Sequence, residues 1–219
     1  MTQTRTFKTV LLGLAIGIGL VAQSKSAHAD ATETLTVAGG CFWCVEADFE
    51  KVDGVKEVVS GFTGGTVESP TYKQVVRGGT GHVEAVQITF VPAIVSAETL
   101  LSMFFRSIDP TDAGGQFCDR GPAYTTAVFA GPGQNAAAEM AKADAQAELG
   151  QTIVTPILPA GAFYPADSYH QDYYKQTKVI LTRFGPKTKA KAYKAYRDAC
   201  GRDARVRALW GDAAPFAGS

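Results

Sequence analysis

The strongest chemical signal in the sequence is a cysteine that follows two glycines, in GGCFWC at residues 39–44. Residues 35–38 have the pattern of a strand that ends at the glycines, and residues 41–52 have that of a helix beginning at Cys41. The free N–H groups and the positive end of the helix dipole favour an anion there. The position predicts that Cys41 is a nucleophile with a lowered pKa. Phe42 and Trp43 would form an apolar wall beside it or pack in the core.

A second candidate group lies in GTGHVE, at residues 79–84. If residues 83–91 form a strand, its two-residue period puts Glu84 on a face that is otherwise apolar. A carboxyl group that loses its water has a raised pKa, so Glu84 could stay protonated near neutrality and act as a general acid. The alternative is a solvated glutamate at a sheet edge. His82 either orients a neighbour or makes a structural hydrogen bond.

A third candidate segment is QFCDRG at residues 116–121, shortly before Tyr124. It belongs to a glycine-rich polar loop, residues 109–122, that leads into a predicted strand at 124–130. Such a loop can form the wall of a site, although each of its residues taken alone is an ordinary loop residue.

The N-terminal segment has the layout of a secretory signal peptide. Arg5 and Lys8 precede an apolar run at residues 10–22, and Ala27-His28-Ala29 follows it. We place the cleavage after Ala29, because the run is shorter than the ~20 residues that an uncleaved spanning helix needs. The sequence thus predicts a signal peptide at 1–29, one exported domain at 30–219 and no membrane association after cleavage. We expect a periplasmic location and a monomer.

Charge and composition exclude several classes of function. The 219 residues carry 21 basic and 21 acidic side chains, so no excess of positive charge indicates nucleic-acid binding. The three histidines are too few for a three-histidine catalytic zinc site, and no metal is predicted. In an oxidising compartment the four cysteines could form two structural disulfides. A four-cysteine zinc site is a weaker alternative, because Cys118 and Cys200 stand alone.

The remaining elements must bring these segments together. Further strands are predicted at 55–62 and 153–158, and further helices at 72–77, 96–108 and 136–149. Residues 187–219 are poorly periodic, which predicts an irregular C-terminal tail. The alternation of strands and helices favours an α/β or α+β arrangement on a mixed sheet, with no strand order specified.

Four segments in this order resemble the A-type peptide methionine sulfoxide reductases: GGCFWCVEADFEKVDGV, SPTYKQVVRGGTGHVEAV, IDPTDAGGQFCDRGPAYTTAVF and FYPADSYHQDYY. The resemblance runs from about Leu35 to Tyr174. It implies an α+β, two-layer ferredoxin-like fold. It also implies reduction of the S epimer of methionine sulfoxide, free or in proteins, without a bound metal or organic cofactor.

The resemblance also implies a role for each matched residue. Cys41 corresponds to the nucleophile and Glu84 to the acid that protonates the sulfoxide oxygen. Phe42 and Trp43 correspond to the wall around the substrate methyl group, and Tyr72 and Tyr124 to two hydroxyls that hydrogen-bond the oxygen. Asp119 corresponds to an acid that helps to build the pocket. We expect His82 and His170 to support the pocket.

The cysteines other than Cys41 depart from the usual family pattern. Cys44 replaces a glycine, and Cys118 replaces an asparagine that often precedes the loop aspartate. The sulfenic acid formed on Cys41 would condense with a second thiol, and a thioredoxin-type dithiol would reduce the product. We expect Cys200, on a mobile tail, to resolve the sulfenic acid. Cys118 and Cys44 are the alternatives, and a relay through several thiols is possible.

Two other functions fit part of the pattern. A thioredoxin-like dithiol oxidoreductase would use Cys41 and Cys44 but would leave Tyr72, Glu84 and the GTGH segment unexplained. A non-enzymatic secreted domain would use the cysteines as two structural disulfides. Both would be favoured if Cys41 could be replaced without loss of sulfoxide reduction.

Overall fold

The structure is a computed structural model that describes residues 1–2 and 31–218. The predicted signal peptide, apart from Met1 and Thr2, and its cleavage site lie outside the described residues. No helix in the described part of the chain is long and apolar enough to cross a membrane.

Ten strands and six α-helices make up the described fold. The strands are β1 (Glu33–Gly39), β2 (Val55–Thr63), β3 (Val83–Phe90), β4 (Gly115–Gln116), β5 (Asp119–Arg120), β6 (Thr126–Ala130), β7 (Ile157–Pro159), β8 (Tyr164–Pro165), β9 (Val179–Thr182) and β10 (Gly185–Thr188). The helices are α1 (Phe42–Phe49), α2 (Tyr72–Arg77), α3 (Ala97–Phe105), α4 (Asn135–Leu149), α5 (Lys189–Ala199) and α6 (Arg202–Trp210).

A mixed sheet of six strands forms the centre, in the order β7-β6-β1-β3-β2-β8. Its pairs are antiparallel except for β6 and β7, which run parallel. Two small antiparallel sheets, β4-β5 and β9-β10, lie outside it. The predicted α+β class with a mixed sheet is confirmed. The narrower ferredoxin-like description stays a prediction.

One face of the sheet carries the main core. Val86, Ile88 and Phe90 alternate along β3 toward helices α1 and α3, and all three are fully buried. The opposite face has a small cluster of Ala38, Ala85, Ala127 and Phe129. The two-residue period predicted for residues 83–91 is therefore confirmed, and Glu84 shares the face that points into the main core.

Local sequence signals explain where several helices begin and end. The Ser96 side chain accepts the N–H of Thr99, which confirms the predicted start of α3. Thr71 and Gln74 form a capping box at the start of α2, which brings Tyr72 into a fixed first turn. Gly150 has a positive φ of 62° and ends α4.

Two predicted strands need correction. Tyr124 ends a short 3-10 helix, Pro122–Tyr124, and the strand begins at Thr126. The proline starts this turn and delays the strand by two residues. The strand predicted at 153–158 is confined to Ile157–Pro159, because pairing with β6 involves these three residues.

The prediction of an irregular C-terminal tail was wrong. Residues 189–210 form α5 and α6, which pack on the body of the protein. Half of the six buried residues of these helices are charged, namely Lys189, Arg197 and Arg202, each at most 5% exposed; the other three are Ala192, Val206 and Trp210. An apolar pattern counts lysine and arginine as exposed residues. It therefore misses the three charged side chains that are buried in α5 and α6.

Candidate active site

Cys41 is held at the start of α1 by a close approach between two segments. It is the N-cap residue of α1, and it follows Gly40, which has a positive φ of 80°. A Cβ atom at Gly40 would lie 2.5 Å from the Cβ of Gln116. Glycine is therefore required for the 109–121 loop to pack against the turn that presents Cys41.

Gln116 anchors that loop. Its side chain is fully buried, accepts the N–H of Asp109 and donates to the Asp109 and Gly115 carbonyls. The short β4-β5 hairpin that follows also needs glycine, since a Cβ on Gly115 would lie 2.3 Å from the Asp119 carbonyl oxygen. These contacts fix Cys118 and Asp119 on the side of the loop near Cys41.

Glu84 lies directly beneath the first turn of α1. It is 2% exposed, and its Oε2 accepts the backbone N–H of Phe42 at 3.0 Å. Burial raises the pKa of Glu84 to about 8, although the Phe42 hydrogen bond opposes the shift. The desolvation predicted for Glu84 is confirmed. The carboxyl is protonated at neutral pH, and it bonds to the backbone of Phe42, the residue that follows Cys41.

Two tyrosine hydroxyls lie close to this pair. Tyr72 and Tyr124 hydrogen-bond to each other, and each is near enough to Glu84 and Cys41 for their charges to affect its pKa. Burial raises the pKa of Tyr124 to about 12 and that of Tyr72 further. Both hydroxyls therefore keep their protons and can donate hydrogen bonds to an oxygen beside Cys41.

Stacked rings form one wall of the site. Trp43 stacks on Tyr173 with ring centres 3.7 Å apart and on His170 at 5.6 Å. His170 also stacks on Tyr72 at 4.3 Å, and burial lowers its pKa. Phe42 is fully buried behind His170, with ring centres 5.3 Å apart. A neutral, stacked His170 fits the supporting position expected for it.

His82 does not reach the site. It accepts the N–H of Gly65 at Nδ1, and its Nε2 lies 2.7 Å from the Val67 carbonyl oxygen. These two bonds hold the β2–α2 connection against the start of β3. The structural hydrogen bond considered for His82 is the arrangement observed.

The expectation of a lowered pKa for Cys41 was wrong. A hydrogen bond with Cys44, burial and the nearby Glu84 and Asp119 carboxyls all raise the pKa of Cys41. The same hydrogen bond, together with Arg202 and Arg197, lowers the pKa of Cys44. Sequence alone could not show these shifts, because burial, Glu84 and Asp119 act on Cys41 only in the folded chain. The arginines that act on Cys44 come from α5 and α6, more than 150 residues away.

Cys118 and Cys200 form a disulfide, and Cys41 and Cys44 are free thiols. The disulfide, Cys41 and Cys44 all line one cavity of about 490 Å³. Cys200 ends the helix α5, where an irregular segment was expected. Cys118 is exposed, so a partner in solvent can reach the bond.

A buried charge network under α1 was not predicted. Arg197 Nη1 donates to Asp48 Oδ1 at 2.9 Å, and Asp48 is fully buried on α1. Arg202 donates to the Gly39 and Ser107 carbonyls at 3.1 and 2.9 Å, so it ties α6 to the turn before Cys41. The sequence carries no local signal for these contacts, since each joins segments about 95 to 163 residues apart.

Comparisons with known proteins agree with this geometry. The sequence profile of a family described as peptide methionine sulfoxide reductase matches residues 33–200. A relative from Caulobacter vibrioides, named peptide methionine sulfoxide reductase MsrA 2, is 45% identical over 203 residues, covering 92% of this chain and 97% of its own. A relative of the same name from Rhizobium meliloti is 47% identical over 178 residues, covering 81% and 83%.

Two solved structures have a similar fold. Mxr1 from Saccharomyces cerevisiae in reduced form gives a TM-score of 0.62 at 30% identity, over 65% of this chain and 83% of that one. Methionine sulfoxide reductase A of Corynebacterium diphtheriae gives 0.59 at 34% identity, over 65% and 73%.

Proposed function

Because this chain belongs to the peptide methionine sulfoxide reductase family, we infer that it reduces methionine-S-sulfoxide, free or in proteins, with Cys41 as the nucleophile. One observation carries the assignment of residues. The protonated Glu84 accepts the backbone N–H of Phe42, which directly follows Cys41, so the acid lies beside the thiol. A thiol that attacks sulfur and an acid that protonates oxygen are both needed for sulfoxide reduction.

In the first step Cys41 Sγ attacks the sulfoxide sulfur while Glu84 gives its proton to the sulfoxide oxygen. A sulfoxide oxygen leaves poorly until it is protonated, so the two events depend on each other. The hydroxyls of Tyr72 and Tyr124 donate hydrogen bonds to the same oxygen and stabilise the charge that develops on it. Trp43 lies where it can contact the substrate methyl group.

The thiol of Cys41 must lose its proton as Sγ attacks the sulfoxide sulfur. Cys44 accepts it in this account, because the two thiols are hydrogen-bonded and Arg202 and Arg197 favour the thiolate on Cys44. The attack forms a bond between Cys41 Sγ and the substrate sulfur, and this bond breaks as the hydroxyl group moves from the substrate sulfur to Cys41 Sγ. The products are methionine and a sulfenic acid on Cys41.

The sulfenic acid is then converted to a disulfide. A thiol of the Cys118 and Cys200 pair attacks Cys41 Sγ, a Cys41 mixed disulfide forms and water leaves. The remaining thiol of the pair attacks the partner sulfur and releases Cys41. The pair thus ends as the Cys118–Cys200 disulfide, while Cys41 returns to the thiol. Attack by Cys44 on Cys41 remains the alternative first step.

A thioredoxin-type dithiol is the proposed electron donor, and the exposure of Cys118 supports it. The signal-like segment at 1–29 supports export to the periplasm as an extension of the same proposal.

The proposed chemistry is tested by reacting the reduced protein with methionine-S-sulfoxide in the absence of other thiols. We expect methionine to form and a Cys118–Cys200 disulfide to appear in peptide maps. The Cys41→Ser variant should form neither, and Cys200→Ser should form methionine but retain a sulfenic acid or another disulfide. Methionine production by Cys41→Ser would remove Cys41 from the role of nucleophile.

A further inference from the structure

Asp119 faces the disulfide as well as the predicted sulfoxide site. A carboxylate oxygen of Asp119 and the sulfur atoms of Cys118 and Cys200 all lie within 4.8 Å of one another. Asp119 Oδ1 is 4.0 Å from Cys118 Sγ. The same side chain lines the cavity that contains Cys41. One carboxyl group is therefore close to both sulfur atoms of a bond that must break in every catalytic cycle.

The other groups around the disulfide are poorly suited to proton transfer. Among the described residues that line the cavity, Asp119 is the only carboxylic acid. The guanidinium groups of Arg183, Arg197 and Arg202 keep their protons at any working pH. Burial raises the pKa of the lining Tyr173 and Tyr193, so these hydroxyls keep their protons.

The surroundings of Asp119 favour its neutral form. Partial burial raises the pKa of its carboxyl, opposed by Arg202 from α6 and Arg183 from the turn between β9 and β10. Glu84, Tyr124 and Cys41 face it from the sulfoxide site, since each feels its charge. A half-buried carboxyl with a raised pKa holds its proton to higher pH than a solvated aspartate does, and it can then serve as a proton donor and acceptor.

We propose that Asp119 is the acid–base residue of the thiol–disulfide exchange that returns Cys118 and Cys200 to thiols. The proposal gives Asp119 a step separate from building the sulfoxide pocket. It rests on the proposed function in one respect, namely that turnover forms this disulfide.

The exchange balances as follows. A thiolate of the external dithiol attacks the exposed Cys118 Sγ, and a new S–S bond forms while the bond to Cys200 breaks. The electron pair leaves on Cys200 Sγ, and Asp119 gives it a proton. The second thiol of the donor loses its proton to Asp119 and attacks the donor sulfur in the mixed disulfide. Cys118 leaves as a thiolate and takes the proton from Asp119, and the donor is released as a disulfide. Asp119 then regains from solvent the proton that the attacking donor thiol lost when it ionised.

The test isolates this exchange from sulfoxide chemistry. In the full-length chain, Cys41→Ser and Cys44→Ser leave Cys118 and Cys200 as the two cysteines, and the disulfide is formed before mixing with dithiothreitol. Samples are quenched with an alkylating reagent, and the remaining disulfide is measured by mass over pH 6 to 9. Because the variant has no nucleophile for sulfoxide, a failure of the proposed function in the wild type would not affect this rate.

Adding Asp119→Asn should slow reduction by about 100-fold at the acid end of the range. The difference should shrink or reverse as the pH rises, because an ionised carboxylate repels the attacking and leaving thiolates and asparagine does not. Asp119→Glu should restore part of the rate and its pH dependence.

Asp112→Asn is the matched control, since Asp112 lies in the same loop but pairs with Arg120. It should leave the rate unchanged. Equal rates for aspartate and asparagine at every pH would overturn the proposal. A loss that is the same at every pH would also overturn it, because it would indicate a change of structure and not of proton transfer.

Discussion

Cys41 and Glu84 form a pair whose protonation states are set by different neighbours. Glu84 is buried among apolar side chains and keeps its proton to about pH 8. Cys41 shares a hydrogen bond with Cys44, which lies nearer to the two arginines of α5 and α6. The site therefore holds two protons in the resting state, one for the sulfoxide oxygen and one that must leave Cys41.

Replacing Glu84 by glutamine keeps the shape of the side chain and removes its acidic proton. We expect Glu84→Gln to lower kcat/KM for methionine-S-sulfoxide by about 10²- to 10⁴-fold, the usual range for a lost general acid. Glu57→Gln is the control, because Glu57 is an exposed residue on β2. If Glu84→Gln had the same kcat/KM as Glu57→Gln, Glu84 would be excluded as the proton donor.

The pH dependence of the chemical step follows from the raised pKa of Glu84. The protonated form is the active one, so the single-turnover rate should fall as the pH rises through about 8. A glutamine at position 84 does not titrate, so this decline should be absent from Glu84→Gln. A wild-type rate that keeps rising across this range would show that thiolate formation alone controls the step.

At the residue scale, the features that depend on neighbouring residues in the chain could be predicted from the sequence. The order strand, two glycines, cysteine and helix located Cys41, and the period of β3 located Glu84 on its buried face. The raised pKa of Cys41 could not be found this way, because it depends on a hydrogen bond with Cys44, on burial and on the carboxyls of Glu84 and Asp119, which only the fold brings near. The Cys118–Cys200 pairing joins residues 82 positions apart and likewise has no local signal.

At the scale of elements, α5 and α6 are attached to the site by charges. Arg197 of α5 bonds to Asp48 in α1 and to Asp203 in α6, and its Nη2 donates to the Phe216 carbonyl. Arg202 bonds to the carbonyls at the end of β1 and after α3. These contacts place Cys200, between the two helices, opposite Cys118.

Removing Arg197 leaves Asp48 as a buried and poorly compensated charge. We expect Arg197→Met to lower the free energy of unfolding by about 3–5 kcal/mol, measured by urea denaturation of the reduced protein. Arg106→Met breaks the more exposed pair with Glu148 and should cost about 1 kcal/mol or less.

The double variant Asp48→Asn with Arg197→Met checks the cause. It should be less destabilised than the sum of the two single variants, because neither charge is then left alone. Simple additivity would mean that Arg197 acts through its packing and not through the ion pair.

Helices whose buried positions are apolar were predicted near their observed positions. Helices α5 and α6, whose buried positions include charged residues, were not predicted. Helix α2 and the start of α3 agree with the sequence prediction because caps and apolar spacing coincide there. In α5 and α6 the buried positions include Lys189, whose Nζ lies 3.5 Å from the centre of the Tyr169 ring. A hydrophobic pattern cannot predict that a lysine is buried against an aromatic ring.

At the scale of the whole molecule, the described fold starts at β1, shortly after the predicted cleavage site. If residues 1–29 are removed during export, the first residue of the mature protein is Asp30. We expect N-terminal sequencing of the protein recovered from the periplasmic fraction of a bacterial host to begin at Asp30. A protein that retains Met1 or stays in the membrane fraction would contradict the predicted processing.

The most direct test of the central claim compares the two epimers of methionine sulfoxide. The protein is supplied with dithiothreitol and either the S or the R epimer, and methionine release is measured beside a Cys41→Ser variant. We predict multiple turnovers with the S epimer, none with the R epimer and none by the variant. Folded, reduced protein that turns over neither epimer, or a Cys41→Ser variant that remains active, would contradict the account.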